Sequence, residues 1–408
     1  MKTKFKSPID NLWEREMENI DIFRTMERRG VKINLDLAKQ EIAVGEGRMN
    51  QLKKELNGYN PRSNKDLKTL LIDEMKLPVL PEHMTPAGQP SFDKNAMKTY
   101  EAILANNPEY SSGQWGSVAQ NILEYRGWGI TLALCYKKFV ELVSPDGRLR
   151  CNYKIHGTRS SRTSCENPNL QQVPKLDDKD PKIWQRNIKR VFEAEEGYTL
   201  VQVDVNQGEM RLATGYARQP YLMETFQWNR DMWGQMVAEL NRPKSACKTL
   251  TYAKMYGAQR NKLRLILGGD DPDQFITDWE KAHDKIVAFS KQVQKTAESR
   301  KYIHLWTGRI RHLPGGDNGP RLAFNSLLQG GLAEIVKSGM IRLSREVDNE
   351  DECRMLLMVH DSVIFEIKTE YLEQYIDLIK SVFSRVEDEK NWDVPFDVTE
   401  EFWGKDAA

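Results

Sequence analysis

Two aspartates far apart in the chain give the first sign of chemistry. Asp204 lies at the far end of the β-rich run YTLVQVDV, one residue before its last, and Asp361 lies in MLLMVHDSVIFEI between two apolar stretches, the pattern of a hairpin with charge at its tip. Taken singly, each is an ordinary turn aspartate at a strand end. Brought together, two carboxylates repel and are costly to desolvate. A divalent cation shared between them relieves both problems and creates a phosphate-binding centre. Two such ions, roughly 3.5 to 4 Å apart, serve in-line phosphoryl transfer, one activating the attacking hydroxyl and the other steadying the leaving pyrophosphate.

A third segment offers partners for a nucleotide. RPKSACKTLTYAKMYGAQ predicts a helix from near Pro243, suited to a first turn, to about Gly257, a good C-terminal residue. Lys244, Lys248, Tyr252 and Tyr256 recur every four residues within it, one drifting stripe of two ammonium groups followed by two rings. Charge suits a triphosphate, and rings suit a base or sugar. A solvated basic end followed by an aromatic core seam would leave the same stripe.

The elements that must position these groups follow from periodicity and punctuation. Helical spacing runs from residue 12 to 57, with Asn34 as N-cap of an amphipathic helix reaching about Leu56. A Pro-, Asn- and Gly-rich stretch from Asn57 to Phe92 feeds a short helix bearing Arg62, Lys65 and Lys68, basic groups suited to phosphate. A helix from about Trp115 to Leu142 carries Arg126, Lys137 and Lys138, which a solvated charged face explains equally well, and SPDG at Ser144 to Gly147 marks a turn. From Arg148 onward, short β runs (LRCNYKI, YTLVQVDV, RMLLMVHDSVIFEI) alternate with helices, and Arg218 to about Arg300 is mostly helical. The mixture implies an α+β fold.

Composition bounds the function classes. The 408 residues are 39% hydrophobic and 29% charged, which excludes a disordered chain and suggests two or three domains or subdomains. No apolar run approaches the roughly 18 residues of a membrane helix, and the N-terminal residues lack a secretory signal. Five widely spaced cysteines without a CxxC pair argue against a zinc module or disulfide framework and suit a reducing cytoplasm. A net charge of +1 carries no bulk nucleic-acid signature, so any such surface must be local.

With these segments in order, the chain resembles the polymerase domain of family A DNA polymerases, the group of bacterial DNA polymerase I and its phage and mitochondrial relatives, over nearly its whole length. DVNQGEMR is similar to the family's first catalytic motif, KSACKTLTYAKMYG to its nucleotide-binding fingers helix, and MVHDSVIFE to its second catalytic motif. HGTRSSRTSCENPNLQQVPK (His156 to Lys175) and RLAFNSLLQGGLAEIVKSGMI (Arg321 to Ile341) resemble its DNA-contacting motifs. The second also reads as an amphipathic helix with Leu332, Ile335, Val336 and Met340 on its core face.

The resemblance implies a right-hand fold: N-terminal segment and helical thumb in 1–143, palm with an antiparallel sheet in 144–217 and 301–408, and helical fingers in 218–300. It implies a primer-dependent DNA polymerase using two Mg2+ ions, with Mn2+ as a substitute, held by Asp204, Asp361 and the Val205 backbone carbonyl. Lys248 would bind the triphosphate and protonate the leaving pyrophosphate, with Gln207, Glu209, Lys244, Tyr252 and Tyr256 completing the nucleotide site. Glu209 would exclude a ribose 2′-hydroxyl by clash, and Tyr252, phage-like where bacterial relatives have phenylalanine, would admit dideoxynucleotides. Arg162, Gln171, Arg321, Asn325, Gln329 and His360 would touch primer-template in or near the minor groove, whose acceptors check geometry with little regard to sequence. Fingers closure would gate the reaction.

Three positions depart from the family pattern. Ser362 replaces an acid after Asp361; Lys244 replaces a phosphate-binding arginine and loses its bidentate fork; Trp233 stands where a triphosphate-contacting histidine is common, so that contact is expected to be weakened or assumed by Arg230 or Arg242. About 25 residues precede MERRGVKIN, which resembles the start of the thumb, so no proofreading exonuclease is expected here and a separate exonuclease or processivity chain is the expected partner. The compact chain and Tyr252 suggest phage replication in a host cytoplasm, without a membrane. A single-subunit RNA polymerase and a catalytically inactive DNA-binding accessory subunit remain the competing readings.

Overall fold

The computed structural model describes residues 8–107, 116–174, 183–185, 187–268, 271–316, 318–386, 390 and 392–404. The chain divides into two compact units: Met1–Gly30, Cys151–Glu166 and Ala194–Ala408 form the first; Val31–Arg150 and Asn167–Glu193 form the second. The class is α+β, as the alternation of short strands and helices implies.

The first unit is built on a four-stranded antiparallel sheet in the order Val398–Phe402, Tyr198–Val205, Ser362–Lys368, Cys353–Val359. The middle strands read as near-continuous apolar runs because both faces are covered. The long helix Asn318–Glu346 buries most of its length, and the helices Gly208–Ala217 and Leu372–Ser384 join the same core. Two of the polar groups caught inside are paired: Arg354 Nη1 donates to Glu366 Oε2 at 2.9 Å, and Trp403 Nε1 donates to Gln202 Oε1 at 2.7 Å.

The N-terminal helix Pro8–Arg29 belongs to this unit, because Arg29 donates to Asp348 (2.7 Å), Glu350 (2.9 Å) and the Met355 carbonyl (3.0 Å). After the strand Tyr198–Val205 and the helix Gly208–Ala217, six further helices follow among the described residues: Pro220–Gln227, Met232–Leu240, Lys244–Met255, Arg260–Leu267, Pro272–Ala282 and Asp284–Arg300.

The second unit is mostly helical. Asn34 caps Leu35–Glu55 as its sequence predicts, its side chain accepting from Leu37 N at 2.8 Å, and Asp93 caps Lys94–Asn106 in the same way. Arg126 departs from the expected choice between phosphate contact and solvated face. It donates to the Pro61 carbonyl at 2.7 Å and the Phe92 carbonyl at 2.5 Å, pinning two loops against the helix Val118–Thr131.

The run LRCNYKI is not one strand. Arg148–Leu149 pairs with Val31–Lys32 in the second unit, and Asn152–Lys154 pairs with Ser164–Glu166 in the first, because the chain crosses between units at Cys151. All five cysteines are free and buried, and no helix among the described residues is long and apolar enough to cross a membrane.

Candidate active site

The two aspartates are neighbours across one ladder. Asp204 lies directly opposite Ser362, and Val205 N donates to the Asp361 carbonyl at 3.3 Å, which carries the pairing past the last strand residue into the two-residue turn His360–Asp361. His360 adopts φ 56° to close that turn and is exposed at its tip. Ser362 is buried and donates to the Val359 carbonyl at 2.8 Å, so it bonds the turn's own backbone.

Gln207, at φ 45° and ψ 37°, turns the chain from the Asp204 strand into the helix Gly208–Ala217. A Cβ at Gly208 would stand 2.5 Å from Leu332 Cδ1, so glycine lets this helix approach the long helix closely. Glu209 is thereby carried inside, 6% exposed. Burial pushes its carboxyl up to about 7, against the Arg162 charge and with Asp361 adding repulsion; Tyr256 Oη donates to its Oε1 at 3.4 Å. Its other oxygen, Oε2, is buried without a hydrogen-bond partner.

Arg162 reaches the same place from the loop after Asn152–Lys154. Its Nη2 lies 3.3 Å from Asp361 Oδ1 and 3.5 Å from Glu209 Oε1. The loop's start is held by a buried ionic cluster that sequence periodicity gives no sign of. Arg309 binds Glu16 and, at 2.8 Å, Glu334; Lys337 Nζ donates to the Ile155 carbonyl at 3.4 Å; His156 Nε2 lies 3.0 Å from Glu16 Oε2. Burial opposes ionisation of Glu16, but His156, Lys337 and Arg309 together outweigh it and hold the carboxyl at about 2.

The lysine and tyrosine stripe is real and continuous. Cys247, Leu250, Thr251 and Met255 turn inward, leaving Lys244 and Lys248 exposed. Lys248 Nζ lies 5.4 Å from the centre of the buried Trp233 ring, Trp233 lies 6.0 Å from Tyr252, and Tyr252 lies 6.2 Å from Tyr256. Burial and then the charges of Glu209, Asp361 and Asp204 raise the Tyr252 hydroxyl, which ties this helix electrostatically to both aspartates. Of the two arginines expected to take up the contact that Trp233 lacks, Arg230 pairs with Glu224 at 2.9 Å on the surface and Arg242 lies over the Phe275 ring.

Arg321, Asn325 and Gln329 share one face at the start of the long helix, with Arg321 exposed and the other two partly so. Gln329 also hydrogen-bonds the Tyr256 hydroxyl, which burial and Glu209 push up to about 12. Gly257, at φ 77°, lets the end of the lysine–tyrosine helix approach this face; a Cβ there would stand 2.5 Å from the Arg321 carbonyl. Gln171 belongs to the second unit. It is buried there, its N–H bonded to Asn169 Oδ1 at 3.2 Å, and Lys175 lies outside the described residues.

Among the described residues no cluster of three or more His, Cys, Asp or Glu side chains is placed to hold a metal. The oxygen donors at Asp204, Asp361 and the Val205 carbonyl suit a hard divalent cation that draws its remaining ligands from water and phosphate.

The profile of DNA polymerase family A matches residues 33–405. The chain is 26% identical over 414 residues to the thermostable DNA polymerase I of Thermus thermophilus, covering 95% of this chain and 48% of that protein. It is 28% identical over 350 residues to the thermostable DNA polymerase I of Thermus aquaticus (80% and 40% covered), and 27% identical over 387 residues to DNA polymerase I of Deinococcus radiodurans (88% and 38% covered). It thus spans about half, or less, of the curated relatives it matches. A solved structure of the POL domain of Pol1 from M. smegmatis, in complex with DNA primer-template and dNTP, shares the fold: TM-score 0.82 at 21% identity, covering 95% of this chain and 69% of that one.

Proposed function

The chain belongs to DNA polymerase family A, and from that premise we propose that it is a template-directed, primer-dependent DNA polymerase adding deoxynucleotides to a primer 3′-hydroxyl. The observation that carries this reading is that Asp204 and Asp361 stand at the end of one ladder, Asp204 opposite Ser362 and Val205 N bonded to the Asp361 carbonyl, while Tyr256 of the lysine–tyrosine stripe donates to Glu209. On this reading the sheet unit supplies the palm, the helices between 218 and 300 the fingers, and the helical unit the thumb.

Lys244 and Lys248 bind the triphosphate, and Tyr252 and Tyr256 bear on the base and sugar. Lys248 is placed to give its proton to the departing pyrophosphate. Gln207 lines the nucleotide site, and Glu209, fixed by Tyr256 and Arg162, fills the space a 2′-hydroxyl needs. Arg162, Arg321, Asn325, Gln329 and His360 face the primer-template minor groove, and Gln171 is a further candidate DNA contact on the second unit. Two Mg2+ ions, for which Mn2+ substitutes, would be held by Asp204, Asp361 and the Val205 carbonyl, and when bound supply Lewis-acid activation and charge neutralisation. The five buried thiols suit a reducing cytoplasm. A separate exonuclease or processivity chain is the protein partner we expect.

Primer extension in Mg2+ with deoxy- and ribonucleotides separately, on wild type and Asp204→Ala, tests the proposal. Deoxynucleotide extension by the wild type, lost by at least about a thousandfold in the variant, is expected. Ribonucleotide-only extension would establish an RNA polymerase instead, and duplex binding without extension a binding subunit.

A further inference from the structure

Arg162, a partly buried side chain, meets the site's carboxylates at long range through a single nitrogen. Its Nη2 alone serves three oxygens, Asp361 Oδ1 at 3.3 Å, Asp361 Oδ2 at 3.4 Å and Glu209 Oε1 at 3.5 Å. Its Nε is buried with no acceptor. An arginine that cross-links carboxylates structurally uses its fork at about 2.7 to 2.9 Å. Arg29 does so with Asp348 and Glu350, at 2.7 and 2.9 Å. Arg162 therefore neutralises charge without completing its hydrogen bonds, and a buried orphan N–H favours any conformation that offers it an acceptor.

The carboxylate it leans on is Asp361, to which the proposed function gives a divalent cation. A guanidinium and a metal ion on one carboxylate repel, so each weakens the other's hold. The minor-groove edge of a base pair, whose polar groups are acceptors apart from the guanine amino group, offers the acceptor that the Arg162 Nε lacks here.

We propose that Arg162 is an internal counter-ion that competes with the divalent metal at Asp361, and that duplex DNA relieves the competition by drawing Arg162 onto its minor groove. Metal binding and DNA binding are then thermodynamically linked through one side chain. The DNA half of this proposal rests on the polymerase reading; the competition half rests on the distances above. The linkage keeps the metals weakly held until a primer-template is seated, which restricts the assembled centre to productive complexes. Arg162 acts as a positioning residue in this role.

The test is a Mn2+ titration read by electron paramagnetic resonance on the full chain, free and with a dideoxy-terminated primer-template that cannot be extended. For the wild type, DNA is expected to tighten Mn2+ binding about tenfold, and by reciprocity Mn2+ tightens DNA binding by the same factor. Arg162→Gln and Arg162→Met are expected to bind Mn2+ about tenfold more tightly than wild type in the free protein, with the DNA increment reduced to about twofold or less. Wild-type Mn2+ affinity in both variants, with the DNA increment intact, would overturn the proposal. If neither variant folds, the wild type still decides it, because DNA affinity indifferent to Mn2+ is incompatible with the linkage. The polymerase reading is judged apart, by extension of an ordinary primer, which a wild type lacking the linkage would still perform.

Discussion

Replacing Glu209 by glutamine keeps the side chain's shape and removes its titration, which isolates one electrostatic contribution to the site. Burial, with Asp361 adding repulsion, moves the carboxyl from its ordinary 4.5 to about 7 despite Arg162 and Tyr256. The folded protein thus keeps a proton that the unfolded chain releases. Because the folded pKa is the higher, the stabilising contribution is fully present below pH 4.5 and is lost as pH rises through 7. At about 1.4 kcal/mol for each pH unit separating the two values, the loss is roughly 3 kcal/mol once the pH passes about 8. Urea unfolding of wild type and Glu209→Gln between about pH 5 and 8 measures it. The stability of wild type relative to the variant is expected to fall by roughly 3 kcal/mol across that range. Parallel pH profiles, agreeing within about 0.5 kcal/mol, would refute the argument that burial outweighs Arg162 at this carboxylate.

The nucleotide-site assignments give two further outcomes. Glu209→Ala is expected to relax discrimination against ribonucleotides by about ten- to a hundredfold in single-nucleotide incorporation, since one steric contact is removed; unchanged discrimination would place the gate elsewhere. Tyr252→Phe is expected to shift the dideoxy-to-deoxy preference against dideoxynucleotides, read from competition in a sequencing ladder; an unaltered ratio removes the role given to that hydroxyl. Away from the nucleotide, Arg309→Met removes the nearer of the two cations that Glu16 and Glu334 share inside the protein, leaving Lys337 at 3.9 and 4.0 Å. It is expected to cost about 3 kcal/mol in chemical denaturation, and a loss under about 1 kcal/mol would show the cluster to be well solvated.

What the sequence disclosed divides along the range of the interactions concerned. The Asn34 cap, the Lys244–Met255 helix and the hairpin around His360–Asp361 are written in local spacing, and each lies within a residue or two of where pattern places it. The pairing of Glu16 with Arg309, 293 residues apart, has no local signature, and neither has the approach of Arg162 to Asp361 across 199. A single strand over LRCNYKI fails for a related reason, since periodicity cannot report that the chain leaves one unit for another at Cys151. Arg126 illustrates the same limit. A basic residue on an amphipathic helix reads as solvated or phosphate-binding, and only tertiary structure supplies the two carbonyls it serves.

Trp233 shows how a departure from a family pattern can be absorbed by its surroundings. On the polymerase reading an indole in place of a histidine removes one charged phosphate donor, and in this structure Arg230 pairs with Glu224 while Arg242 lies over Phe275. The ring is instead buried against the inner side of the stripe, with the Lys248 ammonium 5.4 Å from its centre and Tyr252 6.0 Å away. A cation over an indole face is held by the ring's quadrupole without having its charge neutralised, as a carboxylate partner would neutralise it. Lys248 is therefore oriented without a carboxylate partner in this contact, beside Lys244 on the exposed face of the helix. On the polymerase reading the triphosphate meets fewer donors, but one of them is held in place before it arrives, which trades contact number for preorganisation.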